Sequence, residues 1–200
     1  MKKLSKFIMS TSVAALFSAC GGGGYPPTST TISTSKEPIA IVSTLVNGVD
    51  YWQNGSAVAG GKDIIFDNVT CLTSEDYHIH SHLTIIRDQT YLAVPANIGL
   101  QGCAYELHTH DKSGVIHVET SKYKKFTLGQ FFAVWGKALD SKVIAEFHDV
   151  NFLIYLTDGD GPVRYFGNPK DIELLDKREI TVIVGIPPSS LPTYIWQSPS

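Results

Sequence analysis

The stretch "YHIHSHLTII", residues 77–86, alternates polar and apolar side chains. Successive side chains of a β-strand point to opposite faces of a sheet, so this alternation predicts a strand. His78, His80 and His82 would share one face, while Leu83 and Ile85 would line the other and enter the core. The stretch therefore predicts a half-buried strand that carries imidazoles on its polar face.

Seven further segments have strand character, being rich in Val, Ile, Tyr and Phe and bounded by Gly, Asn, Asp or Pro. They are IAIVSTLV (39–46), KDIIFDNV (62–69), TYLAV (90–94), GVIHVE (114–119), NFLIYLT (151–157), VRYF (163–166) and EITVIVG (179–185). The stretch DGDG, residues 158–161, separates two of them and predicts a hairpin turn.

One segment predicts a helix. In FTLGQFFAVWGKAL, residues 126–139, Thr127 and Gln130 have the spacing of a capping box, and apolar residues follow at helical intervals. The sequence thus predicts a β-rich α+β domain, an antiparallel sandwich or a barrel-like sheet, with one well-defined amphipathic helix.

A second histidine-rich stretch, "LHTHDKSGVIHVE" at residues 107–119, reads as a hairpin. Asp111 and Gly114 occupy the first and fourth positions of a type I turn. A symmetric hairpin then places His108 opposite His117 and Glu106 opposite Glu119. Opposed Cβ atoms lie about 5 Å apart, which lets imidazoles converge on one ion.

Six of the seven histidines therefore predict a metal site: His78, His80, His82, His108, His110 and His117. Glu119, Asp111 and Glu106 are candidates for groups that orient the imidazoles or act as acid or base, and Glu75 and Asp76 for further oxygen ligands. His78, His80 and His82 span roughly 13 Å on a straight strand, so one or two ions are expected. The alternatives are a polar or pH-responsive cluster and no special role. His148 is interpreted as structural.

Imidazole and carboxylate ligands suit a transition metal ion, with zinc or copper(II) ahead of iron or nickel. Both methionines, Met1 and Met9, lie at the extreme N-terminus. The rest of the chain has no thioether, which argues against a copper(I) carrier.

The N-terminal stretch "MKKLSKFIMSTSVAALFSAC" has lysines, a short apolar run and small residues before Cys20. It resembles the lipobox signal of bacterial lipoproteins, although Phe17 stands where Leu is usual. The resemblance implies a signal peptide at 1–19, a lipidated (palmitate-bearing) Cys20 with a flexible Gly/Ser/Thr/Pro tether at 20–38, and a single domain at 39–200. An ordinary secretory signal is the alternative.

This leader implies a lipid-anchored protein of the bacterial cell envelope. In a Gram-negative cell, Gly21 after the cysteine favours the outer membrane, facing the periplasm or the cell surface. Removal of Lys2, Lys3 and Lys6 leaves 13 basic against 19 acidic residues, a net charge of −6. That balance argues against nucleic acid as a partner. The membrane is the expected partner, and the sequence specifies no protein partner.

Once Cys20 is lipidated, Cys71 and Cys103 remain as an even pair in an oxidising compartment. We therefore predict a disulfide between them. The alternative is a pair of thiolate metal ligands.

The motifs HxHxH and LHTHDxxGxIHxE, together with FTLGQFFAVWG, resemble a family of secreted or anchored bacterial proteins over roughly residues 65–195. That resemblance implies no activity. The HxH pairs are similar to those of cupins, but a cupin has a Glu a few residues after HxH, and here His117 and Glu119 follow instead.

Three functions are compatible with these residues. The first is an envelope lipoprotein that sequesters, delivers or senses a transition metal. The second is a metal-dependent enzyme, a hydrolase or one using oxygen chemistry, although the sequence has neither HExxH nor GxSxG and specifies no substrate. The third is a structural or interaction lipoprotein whose metal ties strands together.

Overall fold

The computed structural model describes residues 34–36, 41–43, 48–57 and 66–196. These residues belong to one compact unit, Ile32–Ser200. The predicted signal peptide and Cys20 lie outside the described residues, as do the tether residues before Thr34.

The main sheet has eight strands. Seven follow one another across it in the order β1 (Thr34–Lys36), β10 (Pro162–Tyr165), β9 (Phe152–Thr157), β11 (Glu179–Val184), β3 (Tyr77–Arg87), β6 (Val115–Thr120) and β5 (Leu107–His108). The eighth, β4 (Thr90–Leu92), pairs with the end of β3. β1 lies within the predicted tether, so the sheet begins before residue 39.

The β-rich α+β class with one α-helix is confirmed among the described residues, and the sheet is open rather than closed into a barrel. Its neighbouring strands are antiparallel except for β3 and β11, which run parallel. The turn predicted at 158–161 is confirmed, because it joins β9 to β10, with Thr157 paired to Pro162.

Two small sheets complete the fold. β7 (Ala138–Asp140) and β8 (Val143–Ala145) form a hairpin, and β12 (Leu191–Thr193) pairs in parallel with β2 (Ile41–Ser43). The strand predicted at 62–69 is not formed over its described part. There Phe66 and Val69 pair across a two-residue turn in which Asp67 and Asn68 have positive φ angles.

The helix α1 spans Leu128–Trp135 and begins with the predicted capping box. The Thr127 hydroxyl accepts from the Gln130 amide at 3.4 Å, and the Gln130 side chain accepts from the Thr127 amide at 2.9 Å. The helix ends earlier than the predicted residue 139. Gly136 adopts the left-handed conformation with φ 76°, after which the chain enters β7.

The two faces of the sheet have different environments. Leu83, Ile85 and Val118 belong to the main core together with Phe131 and Trp135 of α1. On the opposite face, a smaller apolar cluster of Ile86, Tyr155, Ile183 and Leu191 covers one end. The alternation along β3 places His78, His80 and His82 on this second face, away from α1.

The predicted disulfide is confirmed: Cys71 and Cys103 are bonded, with their Cα atoms 5.9 Å apart. These two sulfurs are therefore not metal ligands. Among the described residues, no helix has the length and apolar character needed to cross a bilayer.

Candidate metal centre

The register of three neighbouring strands forms the site. In the β5–β6 hairpin His108 lies opposite His117, as the turn chemistry predicts. On the other side of β6, His117 lies opposite His80 and Glu119 opposite His78. A row of three histidines therefore crosses the sheet, with the Glu119–His78 pair in the next row.

The ligand atoms of this row and its neighbours converge. His78 Nε2 lies 2.9 Å from His80 Nε2, 3.3 Å from His117 Nδ1 and 3.2 Å from Glu119 Oε1. His108 Nε2 lies 3.3 Å from His110 Nε2 and 3.5 Å from Glu119 Oε1. With metal–nitrogen bonds near 2.0–2.1 Å, ligands of a tetrahedral ion lie about 3.3 Å apart, so these separations fit a coordination shell.

Three groups of side chains bring one ligand atom each within 4.8 Å of one another. They are His108, His110, His117 and Glu119; His78, His80 and His117; and Glu75, His78 and Glu119. We call the five histidines and Glu119 the histidine cluster: His78, His80, His108, His110, His117 and Glu119.

Protein acceptors orient two of the imidazoles. Nδ1 of His108 lies 2.8 Å from the Tyr105 carbonyl oxygen, and Nδ1 of His78 lies 2.7 Å from Glu75 Oε1. Carbonyl and carboxylate oxygens only accept, so an Nδ1 that donates to them leaves Nε2 free to bind a metal, and both Nε2 atoms face the cluster. Sequence reasoning missed the Tyr105 contact, since a backbone carbonyl has no sequence signature.

The site favours neutral imidazoles. Burial, and then the proximity of four other histidines, lowers the pKa of His117 to about 3. Burial likewise lowers the pKa of His80 and of His108. A neutral imidazole is the form that binds a metal, so these side chains are ready to act as ligands at neutral pH.

His82, the third histidine of the HxHxH motif, belongs to none of the three groups. Its Nε2 donates to the Ser113 carbonyl at 2.8 Å, its Nδ1 faces the Thr84 hydroxyl at 3.5 Å, and its ring stacks on Tyr194 at 4.4 Å. Burial lowers its pKa to about 4. Both ring nitrogens face protein atoms, so the structure gives His82 a packing role.

The candidate carboxylates are divided between two roles. Glu119 enters the cluster, whereas Glu106 accepts hydrogen bonds from Thr70, Thr120 and Lys124. Asp111 accepts from the Ser113 amide at 2.9 Å and shapes the hairpin turn. Glu106 and Asp111 thus stabilise the strands that carry the cluster.

The two remaining acidic candidates lie in the segment that precedes β3. Asp76 accepts from the Ser74 hydroxyl at 2.8 Å, while Glu75 contacts His78. His148 is exposed and belongs to none of the groups, in agreement with its assignment outside the site.

The arrangement places five imidazoles and one carboxylate, in overlapping groups of three or four possible metal ligands, on the sheet face opposite the helix. Comparison of the chain with protein-family models, curated proteins and solved structures finds no match, so the functional assignment rests on this geometry alone.

Proposed function

We propose that this chain is a lipid-anchored protein of the bacterial envelope that binds a transition metal through the histidine cluster and sequesters, delivers or senses it. The observation that carries the proposal is the convergence of five imidazoles and Glu119 at ligand–ligand distances. The contacts of His78 and His108 support it, because each Nδ1 faces a protein oxygen and each Nε2 points into the cluster.

The donor set suits zinc or copper(II), with iron and nickel as alternatives. The donors of the cluster are imidazole nitrogens and a carboxylate oxygen. Cys71 and Cys103 are bonded to each other and offer no thiolate ligand. The cluster also has a solvent side: His108 is 1% exposed, whereas His110 is open to solvent. This difference in solvent exposure across the cluster supports a role in metal exchange, since an ion can enter and leave from the exposed side.

The test compares bound metal in the purified full-length chain with that in a His80→Ala/His110→Ala/His117→Ala variant. After loading and removal of free ion, elemental mass spectrometry should find zinc or copper on the wild type and little on the variant. His148→Ala is the matched control and should bind as the wild type does. A wild-type chain that takes up none of the four candidate metals would refute the proposal.

The lipid anchor is tested separately. Replacement of Cys20 by Ser should abolish incorporation of labelled palmitate and release the protein from the membrane fraction. A Cys20→Ser variant that keeps its label and remains in the membrane fraction would contradict the anchor.

A metal-dependent enzyme is the second candidate, and one observation favours it. Asp176, whose carboxylate lies 3.4 Å from the His80 amide nitrogen, lines a cleft of about 610 Å³ beside Glu179 and Trp196. No residue of the histidine cluster lines this cleft, but Asp176 connects it to the backbone of His80, so a small molecule bound there would lie near the cluster. Saturable turnover that disappears on chelation would establish this alternative.

A further inference from the structure

We propose that the histidine cluster holds two metal ions, bridged by the carboxylate of Glu119. His108, His110 and His117 bind the first ion, and His78 and His80 bind the second. This inference rests on the proposed metal-binding function and deepens it.

The number and spread of the donors point to two ions. Five imidazoles and a carboxylate exceed the four ligands of a tetrahedral ion. The donors also fall into two groups that share His117: one contains His108 and His110, and the other contains His78 and His80. Ligand atoms of one ion lie at most about 4 Å apart, twice the metal–nitrogen bond. Among the described residues no group of donors within 4.8 Å of one another joins the two pairs, so each pair is assigned its own ion.

Glu119 lies where a bridging ligand must lie. Its strand, β6, runs between β3, which carries His78 and His80, and β5, which ends at His108 two residues before His110. Glu119 Oε1 is 3.2 Å from His78 Nε2 and 3.5 Å from His108 Nε2, so one carboxylate reaches both sides. Its side chain is only 8% exposed, which limits the competition from water.

His117 lies between the two pairs. Its Nδ1 is 3.3 Å from His78 Nε2 and 3.2 Å from Glu119 Oε1. One set of four donors within 4.8 Å of one another nevertheless contains His117 together with His108, His110 and Glu119. The first ion thus receives three nitrogens and one oxygen. The second ion receives two nitrogens and one oxygen, with a coordination position left on the side of the exposed His78.

The two ions should therefore differ in binding strength. The first has four protein ligands and is expected to fill first, and the second has three and is expected to exchange faster. The negative charge of Glu119 between them reduces the repulsion of two divalent cations.

The test counts ions on the full-length chain in detergent, stripped with chelator, loaded with excess Zn²⁺ and freed of unbound ion. We expect two equivalents on the wild type and on His148→Ala. One equivalent should remain in His108→Ala/His110→Ala and in His78→Ala/His80→Ala. Because His108 is buried, the single variant His110→Ala is a check on folding. This variant should bind one of the two ions about tenfold or more weakly and bind the other with unchanged affinity.

Copper(II) tests the bridge. Metal ions that share a bridging ligand lie about 3.5–4 Å apart, close enough for their unpaired spins to couple. The copper-loaded wild type should show a half-field electron paramagnetic resonance signal, and each double variant should lose it. Glu119→Gln should weaken the coupling.

The outcomes separate the two proposals. One equivalent on the wild type would overturn the two-ion centre and leave metal binding intact. No bound zinc, copper, iron or nickel would refute both. Two equivalents with uncoupled copper spectra, or two equivalents in every variant, would overturn the bridged arrangement.

Discussion

At the residue scale, the two ring nitrogens of each histidine determine its role. His78 and His108 give one nitrogen to a protein oxygen and present the other to the cluster. His82 has Ser113 on one side and Thr84 on the other, so neither of its nitrogens faces the cluster. Histidines on one face of a strand can therefore be metal ligands or packed side chains. The role depends on whether neighbouring protein atoms contact one ring nitrogen or both.

Replacement of His82 by Ala should destabilise the protein without changing its metal content. The substitution removes the ring stacked on Tyr194 and leaves the Ser113 carbonyl without its donor. The expected loss is about 2–4 kcal/mol in the free energy of unfolding, measured by urea denaturation of the metal-free protein. Loss of a bound ion from a folded His82→Ala variant would show that His82 is a ligand after all.

The low pKa of His82 makes stability depend on pH. In the folded state its pKa is about 4, against an ordinary value of 6.5, because burial disfavours the charged ring. Between these values the unfolded chain binds more protons, so stability falls as the pH drops from 6.5 towards 4. Each pH unit in that window lowers the free energy of unfolding by up to about 1.4 kcal/mol through this residue.

His82→Phe keeps a ring beside Tyr194 but cannot titrate. Unfolding of the metal-free variant should therefore depend less on pH between 6.5 and 4 than that of the wild type. The difference between the two slopes isolates His82 from the other buried histidines. Equal slopes would mean that His82 does not change its protonation on unfolding.

At the element scale, the disulfide fixes the approach to both histidine-bearing edges of the site. Cys71 precedes Glu75 and β3, and Cys103 precedes Tyr105 and β5. The Leu72 amide also donates to the Ala104 carbonyl at 2.7 Å. The covalent bond thus holds together the two segments that orient His78 and His108.

The double substitution Cys71→Ser/Cys103→Ser should lower stability and metal affinity together. The two cysteines are 32 residues apart, and opening a loop of that length costs about 3 to 4 kcal/mol by the chain-entropy model. Denaturant midpoints and a zinc titration measure the two effects. Unchanged zinc affinity in the folded variant would show that the bond acts on the fold alone.

At the scale of the whole molecule, an ion that binds only the folded state stabilises the entire domain. At a zinc concentration 100 times the dissociation constant, the gain is about 2.7 kcal/mol, or roughly 5 to 10 °C in the melting temperature. Calorimetry with and without chelator measures the shift. The His80→Ala/His110→Ala/His117→Ala variant should show none, and a shift of the wild-type size in that variant would place the ion elsewhere.

The features that could be predicted from the sequence are those set by residues close together in the chain. Alternation gave the faces of β3, and the turn at Asp111–Gly114 gave the pairing of His108 with His117, because both depend on neighbours in the chain. The pairing of His80 with His117 joins distant strands and has no local signal. Tyr194, which holds His82 out of the cluster, comes from the opposite end of the chain.

The position of β3 in the sheet has a consequence for the time at which the site can form during biosynthesis. On one side β3 pairs with β6, some 40 residues later, but its parallel partner β11 arrives about 100 residues later. All residues of the histidine cluster lie between positions 78 and 119, so they are synthesised before β11. An ion captured at that stage would hold β3, β6 and β5 in register while one edge of β3 still lacks its partner. The chain can thus assemble the histidine cluster before its core is complete.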